Sequence, residues 1–109
     1  MKIVTAKEFL LLPKGTVFAK YDPCILDEIH IKQDSIGETD FYYISFSCID
    51  PDDFFKMEEE KVTVPMDVSI LRDGLFDMKQ LYLVFSTQDV RNIIDVLSET
   101  ITSKIDQSI

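Results

Sequence analysis

Between residues 90 and 105 the apolar side chains Val90, Ile93, Ile94, Leu97, Ile101 and Ile105 recur at intervals that place them on one side of an α-helix. Ser86 or Thr87 supplies the cap that starts it. A helix of this kind is marginal in water unless its apolar stripe is laid on another element. The rest of the chain must therefore offer a surface, and its patterning is that of strands. Residues 81–85, Leu-Tyr-Leu-Val-Phe, and residues 16–21, Thr-Val-Phe-Ala-Lys-Tyr, are aromatic and β-branched. Residues 25–32 end in an alternation of Ile29 and Ile31 with Glu28, His30 and Lys32, as a strand with one apolar side should. Residues 41–49 read as a strand whose Tyr42, Ile44, Phe46 and Cys48 are expected to face the core. Residues 62–70 alternate too, and Pro65 marks that segment as an edge or an interrupted strand. The polar stretch 33–40, with Gly37, reads as a loop; Asp22-Pro23 and Arg72-Asp73-Gly74 read as turns.

Two shorter helices complete the pattern. Thr5-Ala6-Lys7-Glu8 has the form of a capping box, and Val4 with Phe9 has the spacing of a hydrophobic staple. Pro13 and Gly15 stop that helix early. In the middle of the chain Asp50 is placed to cap, Pro51 to take the first helical position, and Asp52 and Asp53 to meet the positive end of the helix dipole, with Phe54, Phe55 and Met57 as anchors. The fold class is thus α+β: a mainly antiparallel sheet of about five strands, with a short N-terminal helix, a short middle helix and a long C-terminal helix packed on one face. At 109 residues and 46% hydrophobic content, one domain over residues 1–109 is expected.

Eleven Lys and Arg stand against twenty Asp and Glu, a net charge of −9. That balance opposes direct contact with nucleic acid or anionic lipid and favours a protein partner with a basic surface; solubility alone also accounts for it. No apolar run approaches the ~18–20 residues of a membrane helix, and MKIVTAKEFLLL carries charges where a secretory signal would be apolar. A cytosolic chain with two free thiols, Cys24 and Cys48, is expected.

Chemistry-bearing constellations are mostly missing. His30, the sole histidine, has no partner motif, and Cys24 has no cationic neighbourhood in sequence. Gly15, Gly37 and Gly74 are isolated, so no phosphate-binding loop is spelled out. Asp50, Asp52 and Asp53 do not fit a calcium loop, because Pro51 and Phe54-Phe55 break its pattern and helix capping accounts for them. The expectation is a non-enzymatic protein with no metal and no cofactor.

Two surfaces remain as candidates. The block 50–60 holds six carboxylates against one lysine, a local net of −5, and Asp52, Asp53, Phe54, Phe55, Glu58, Glu59 and Glu60 could form an acidic partner-binding surface or simply a solvated helix and loop. Arg72, one of two arginines, could grip a phosphate or carboxylate ligand together with Lys20, Tyr21, Cys24 and Tyr43, or could pair with a carboxylate of its own domain.

The segments FLLLPKGTVFAKYDPC, residues 9–24, and RDGLFDMKQLYLVFSTQDVRNIIDVL, residues 72–97, resemble small uncharacterised accessory proteins encoded by bacteriophages. The stretch 33–62 departs from that pattern. The resemblance implies expression in the cytoplasm of a bacterial host and assigns no catalytic or binding residue. In that setting a small acidic chain is expected to be a counter-defence inhibitor that binds a host protein stoichiometrically. The alternatives are a sponge that sequesters a small nucleotide signal, using Lys20, Tyr21 and Arg72, and an immunity-type or structural accessory protein.

Overall fold

The computed structural model describes residues 1–23, 25–26, 28–46, 50–66, 68–74 and 77–103. Its strands are β1 (Lys2–Val4), β2 (Val17–Asp22), β3 (Ile25–Leu26), β4 (His30–Ile36), β5 (Asp40–Ser45), β6 (Ser69–Arg72) and β7 (Leu81–Val84). They form one sheet in the order β1-β7-β2-β4-β5-β6, with β3 paired to β2, and every pairing is antiparallel. The helices are α1 (Ala6–Leu10), α2 (Pro51–Glu58) and α3 (Thr87–Ser103). This is the α+β architecture expected, with a short, a short and a long helix in that order. The sheet gains β1, and the segment 25–32 divides between β3 and the start of β4.

The capping box that starts α1 is formed as read. Glu8 N–H donates to Thr5 Oγ1 at 3.2 Å and Thr5 N–H to Glu8 Oε1 at 3.3 Å, so two otherwise orphaned helix donors are satisfied. The staple residues Val4 and Phe9 are both buried, and with Ala6, Phe18, Phe41 and Tyr82 they make the core between α1 and one face of the sheet. Phe9 is its hub, with ring centroids 4.1 Å from Tyr82, 4.6 Å from Phe18 and 5.0 Å from Phe41.

That hub decides which face of β4 and β5 turns inward, and it reverses two expectations. Phe41, Tyr43 and Ser45 face α1, whereas Tyr42 and Phe46 are exposed on the other side. His30 and Lys32, expected on the polar side of their strand, also face α1. The His30 ring lies 4.8 Å from Tyr43 and 5.7 Å from Phe18. Lys32 is only 2% exposed, with its ammonium 5.8 Å from the centre of the Phe9 ring. Both sides of β5 are apolar in sequence, so alternation alone could not choose between them; aromatic packing on Phe9 did. Cys48 lies outside the described residues.

Residues 33–36 continue β4 rather than forming a loop, across a bulge between Lys32 and Ser35. The turn to β5 is then 37–39, with Gly37 at φ +59°. In the segment 62–70 only the end is strand: the described residues 62–66 leave the sheet around Pro65, and β6 begins at Ser69.

The opposite face of the sheet carries Ile3, Leu83 and Ala19 in one cross-strand row and Val17, Ile31, Ile44 and Ile70 in another. Ala19 and Leu83 are buried, while Ile3, Leu81, Tyr42 and Ile70 remain exposed around them. The long helix α3 does not lie across the sheet as expected. Its first turn is fixed: Ser86 and Asp89 exchange hydrogen bonds of 2.8 and 3.1 Å, and Asp89 takes the N-terminal ammonium at 2.7 Å. Val90 and Ile93 are half-buried, but Leu97 is 59% and Ile101 78% exposed. The molecule is correspondingly elongated, 44 × 32 × 26 Å with a radius of gyration of 16.5 Å, against ~13 Å for a compact chain of this length.

Candidate partner-binding surface

The helix α2 is set by its N-terminus. Asp50 accepts from Asp52 N–H at 2.8 Å, Phe54 N–H closes the first turn on Asp50 C=O at 2.9 Å, and Pro51 occupies a position that needs no donor. Asp52 and Asp53 sit in the first turn, where the helix dipole favours negative charge. No residue of α2 is buried, and Phe54 and Phe55 are each 54% exposed. Glu58, Glu59 and Glu60 are exposed beyond them, and Lys61 turns the chain at φ +58°.

Between α2 and the strandless segment before β6 lies a cleft of about 660 Å³. Asp50, Asp52, Asp53 and Lys56 provide its charged part, and Phe46, Met57, Val64 and Met66 its apolar part. Of the residues expected in an acidic surface, Asp52 and Asp53 therefore line the cleft. Phe54, Phe55 and Glu58 belong to α2 outside it, and Glu59 and Glu60 follow the end of the helix. Sequence reasoning missed Met57, Val64 and Met66 as lining. The signal was Pro65, which interrupts the strand pattern and frees 62–66 to build the opposite wall.

Among the described residues the proposed ligand set is not assembled. Lys20 and Arg72 lie on opposite faces of the sheet, in β2 and β6, with β4 and β5 between them. Each is already paired: Lys20 Nζ is 3.0 Å from Asp73 Oδ1, and Arg72 Nε is 2.8 Å from Asp40 Oδ2. Tyr43 packs among Phe18, Phe41 and His30 in the core layer, Tyr21 faces away from it beside Leu81, and Cys24 lies outside the described residues. Asp40 was not singled out in sequence, because twenty carboxylates compete to be the partner of Arg72. It also accepts Phe41 N–H at 2.8 Å and Gly74 N–H at 2.9 Å, which ties the start of β5 to the end of β6. Burial pushes the Asp40 carboxyl up, but these donors and the guanidinium outweigh it and hold the group below the ordinary range.

Comparison with family models, curated proteins and solved structures gave no match. Among the described residues no cluster of three or more His, Cys, Asp or Glu could hold a metal ion, and no helix is long and apolar enough to cross a membrane. What the geometry offers is an acidic, apolar-floored cleft beside an exposed edge strand, which can receive a cationic group and an apolar side chain from the same partner segment.

Proposed function

We propose that this chain is a non-enzymatic binding module that captures a basic, apolar-anchored segment of a protein partner along α2. The observation that carries the reading is the cleft itself, where Asp50, Asp52 and Asp53 border Met57, Val64 and Met66. Flexible methionines adapt to varied apolar side chains, and the carboxylates select lysine or arginine beside them. The net charge of −9 extends the same field over the whole molecule and speeds encounter with a basic surface. In the setting implied by the resemblance to phage accessory proteins, the module acts in the bacterial cytoplasm and inhibits a basic host protein by stoichiometric occupation. The nucleotide-sponge alternative is less favoured because, among the described residues, Lys20 and Arg72 are each already paired with a carboxylate of the chain.

The test is calorimetric titration with a synthetic amphipathic peptide of alternating lysine and leucine faces, and with its glutamate counterpart. Binding of the basic peptide alone, weakening as salt rises and lost in the double variant Asp52→Lys, Asp53→Lys, is the expected result. Equal binding to the double variant would remove the cleft from the proposal.

A further inference from the structure

The two apolar surfaces left open by the fold are complementary in kind. One is the stripe of Ile94, Leu97 and Ile101 on α3, all exposed. The other is the sheet face opposite α1, where Ile3, Leu81, Tyr42 and Ile70 are exposed. An amphipathic helix and a sheet with an apolar face are the two halves of one packing unit, and here one chain carries both without joining them.

From these observations we infer that the chain forms a two-fold dimer in which α3 of each copy lies on the open sheet face of the other. Charge selects the occupant. Two molecules of net charge −9 repel wherever their carboxylates meet, so they can associate closely only through surfaces without net charge. Helical periodicity puts Asp95 and Glu99 on the side of α3 away from the Ile94–Leu97–Ile101 stripe. On the sheet face, the paired positions among the described residues carry one carboxylate, Asp40, and it is neutralised within the chain by Arg72 at 2.8 Å. The acidic block on α2 offers no comparable neutral area. A basic partner would find nothing to pair with on either apolar surface, whereas a second copy brings to each the surface it lacks. A two-fold axis makes both contacts at once, which is the commonest way for identical chains to close an assembly.

The size of the interface sets its strength. Seven large apolar side chains, each about half exposed, represent roughly 500–800 Å² of apolar area per chain. With apolar atoms forming about 60% of an interface, that corresponds to roughly 800–1,300 Å² per partner if all of it is covered. This reaches the ~800 Å² per partner of a standard interface, enough for a dimer of moderate affinity that dissociates on dilution.

The experiment is light scattering coupled to size exclusion on the full chain, from about 200 µM to about 2 µM, with circular dichroism to confirm folding. Three variants are compared: Leu97→Asp on the helix, Ile70→Asp on the sheet, and Asp52→Lys in the cleft. The expected result is a concentrated wild type at twice the 12.6 kDa chain mass, an unchanged Asp52→Lys variant, and monomers for Leu97→Asp and Ile70→Asp at every concentration. A monomeric wild type throughout the range overturns the inference. So does a dimer that survives both apolar-to-acidic variants, which would place the contact elsewhere. Loss of the dimer in Leu97→Asp but not in Ile70→Asp would mean helix against helix and would equally overturn the helix-on-sheet assignment. None of these outcomes depends on peptide binding in the cleft, so the two proposals fail separately.

Discussion

The rings of Phe9 and Tyr82 are stacked 4.1 Å apart with their planes 7° from parallel, joining helix α1 to the sheet strand β7. Phe18 and Phe41 close around the Phe9 ring at 4.6 and 5.0 Å, so its removal leaves a cavity lined by these rings. Phe9→Ala is expected to cost about 3–5 kcal/mol and Phe9→Leu about 1–2 kcal/mol, read as shifts in the urea midpoint at unchanged slope. Against a total stability of ~5–15 kcal/mol, the alanine variant should be the most damaging single truncation in the chain.

Asp40 accepts from two backbone N–H groups and from Arg72 at 2.8–2.9 Å, which makes it the clasp between β5 and the turn after β6. Asp40→Ala leaves the Phe41 and Gly74 donors without their acceptor and is expected to cost about 2–3 kcal/mol, with faster hydrogen exchange at those two amides. The carboxyls of Asp40 and Glu8 are held below their ordinary values, and that of Asp89 is pulled down to about 2 by the N-terminal ammonium and Ser86. A depressed folded pKa stabilises above the unfolded value near 4 and is lost as pH falls through the folded value. Stability should therefore hold from pH 7 to about 5 and fall below about 4, and Asp40→Asn should flatten that acid limb in a pH series of denaturation curves.

Gly37 turns β4 into β5 at φ +59°, and a Cβ placed there would meet nothing within 4 Å. The cost of a side chain is then conformational rather than steric. Gly37→Ala is expected to lose about 1 kcal/mol and Gly37→Asn clearly less, because asparagine tolerates the left-handed region. Equal thermal shifts for the two would contradict that account.

These cases show which parts of the fold are local enough to read from sequence. The box at Thr5 and Glu8, the stop at Pro13 and Gly15, the Asp50-Pro51 start of α2 and the Ser86 start of α3 all depend on neighbours within four residues, and all are formed. The inward face of β5 was not legible, because Tyr42, Ile44 and Phe46 are as apolar as Phe41 and Tyr43, and only the distant Phe9 ring distinguishes them. Nor was the cleft, whose two walls are separated by the turn at Lys61. The acidic residues Asp52 and Asp53 could be picked out as a surface, but their juxtaposition with Met66 required the chain to leave the sheet before β6. The apolar period of α3 correctly gave a helix. It could not say that the second half of that helix stays off the sheet of its own chain.

Lys32 carries an amine into the buried layer beside Phe9. Its ammonium, at a residue 2% exposed, is held by Ser35 Oγ at 2.9 Å and Gln33 C=O at 3.2 Å above the Phe9 ring. Desolvation lowers its pKa, with Asp34 acting in the opposite sense. Between the lowered folded value and the unfolded value near 10.4, the unfolded chain binds a proton that the folded chain does not, so stability rises with pH through that window. Tyr82 limits the rise: burial, with Asp73 and Asp77, pushes its hydroxyl up, so above about 10 the unfolded chain loses a proton that the folded chain keeps, and stability falls. Lys32→Met fills the same volume without the charge, and Ser35 keeps its own bond to Leu10 C=O at 2.9 Å. The variant is expected to be neutral or more stable by about 1 kcal/mol at pH 7, and to lack the rise in stability just below the unfolded lysine value near 10.4 that is expected of the wild type in guanidinium titrations. A variant that is destabilised by several kcal/mol at pH 7 would mean that the Lys32 hydrogen bonds outweigh the cost of burying its charge.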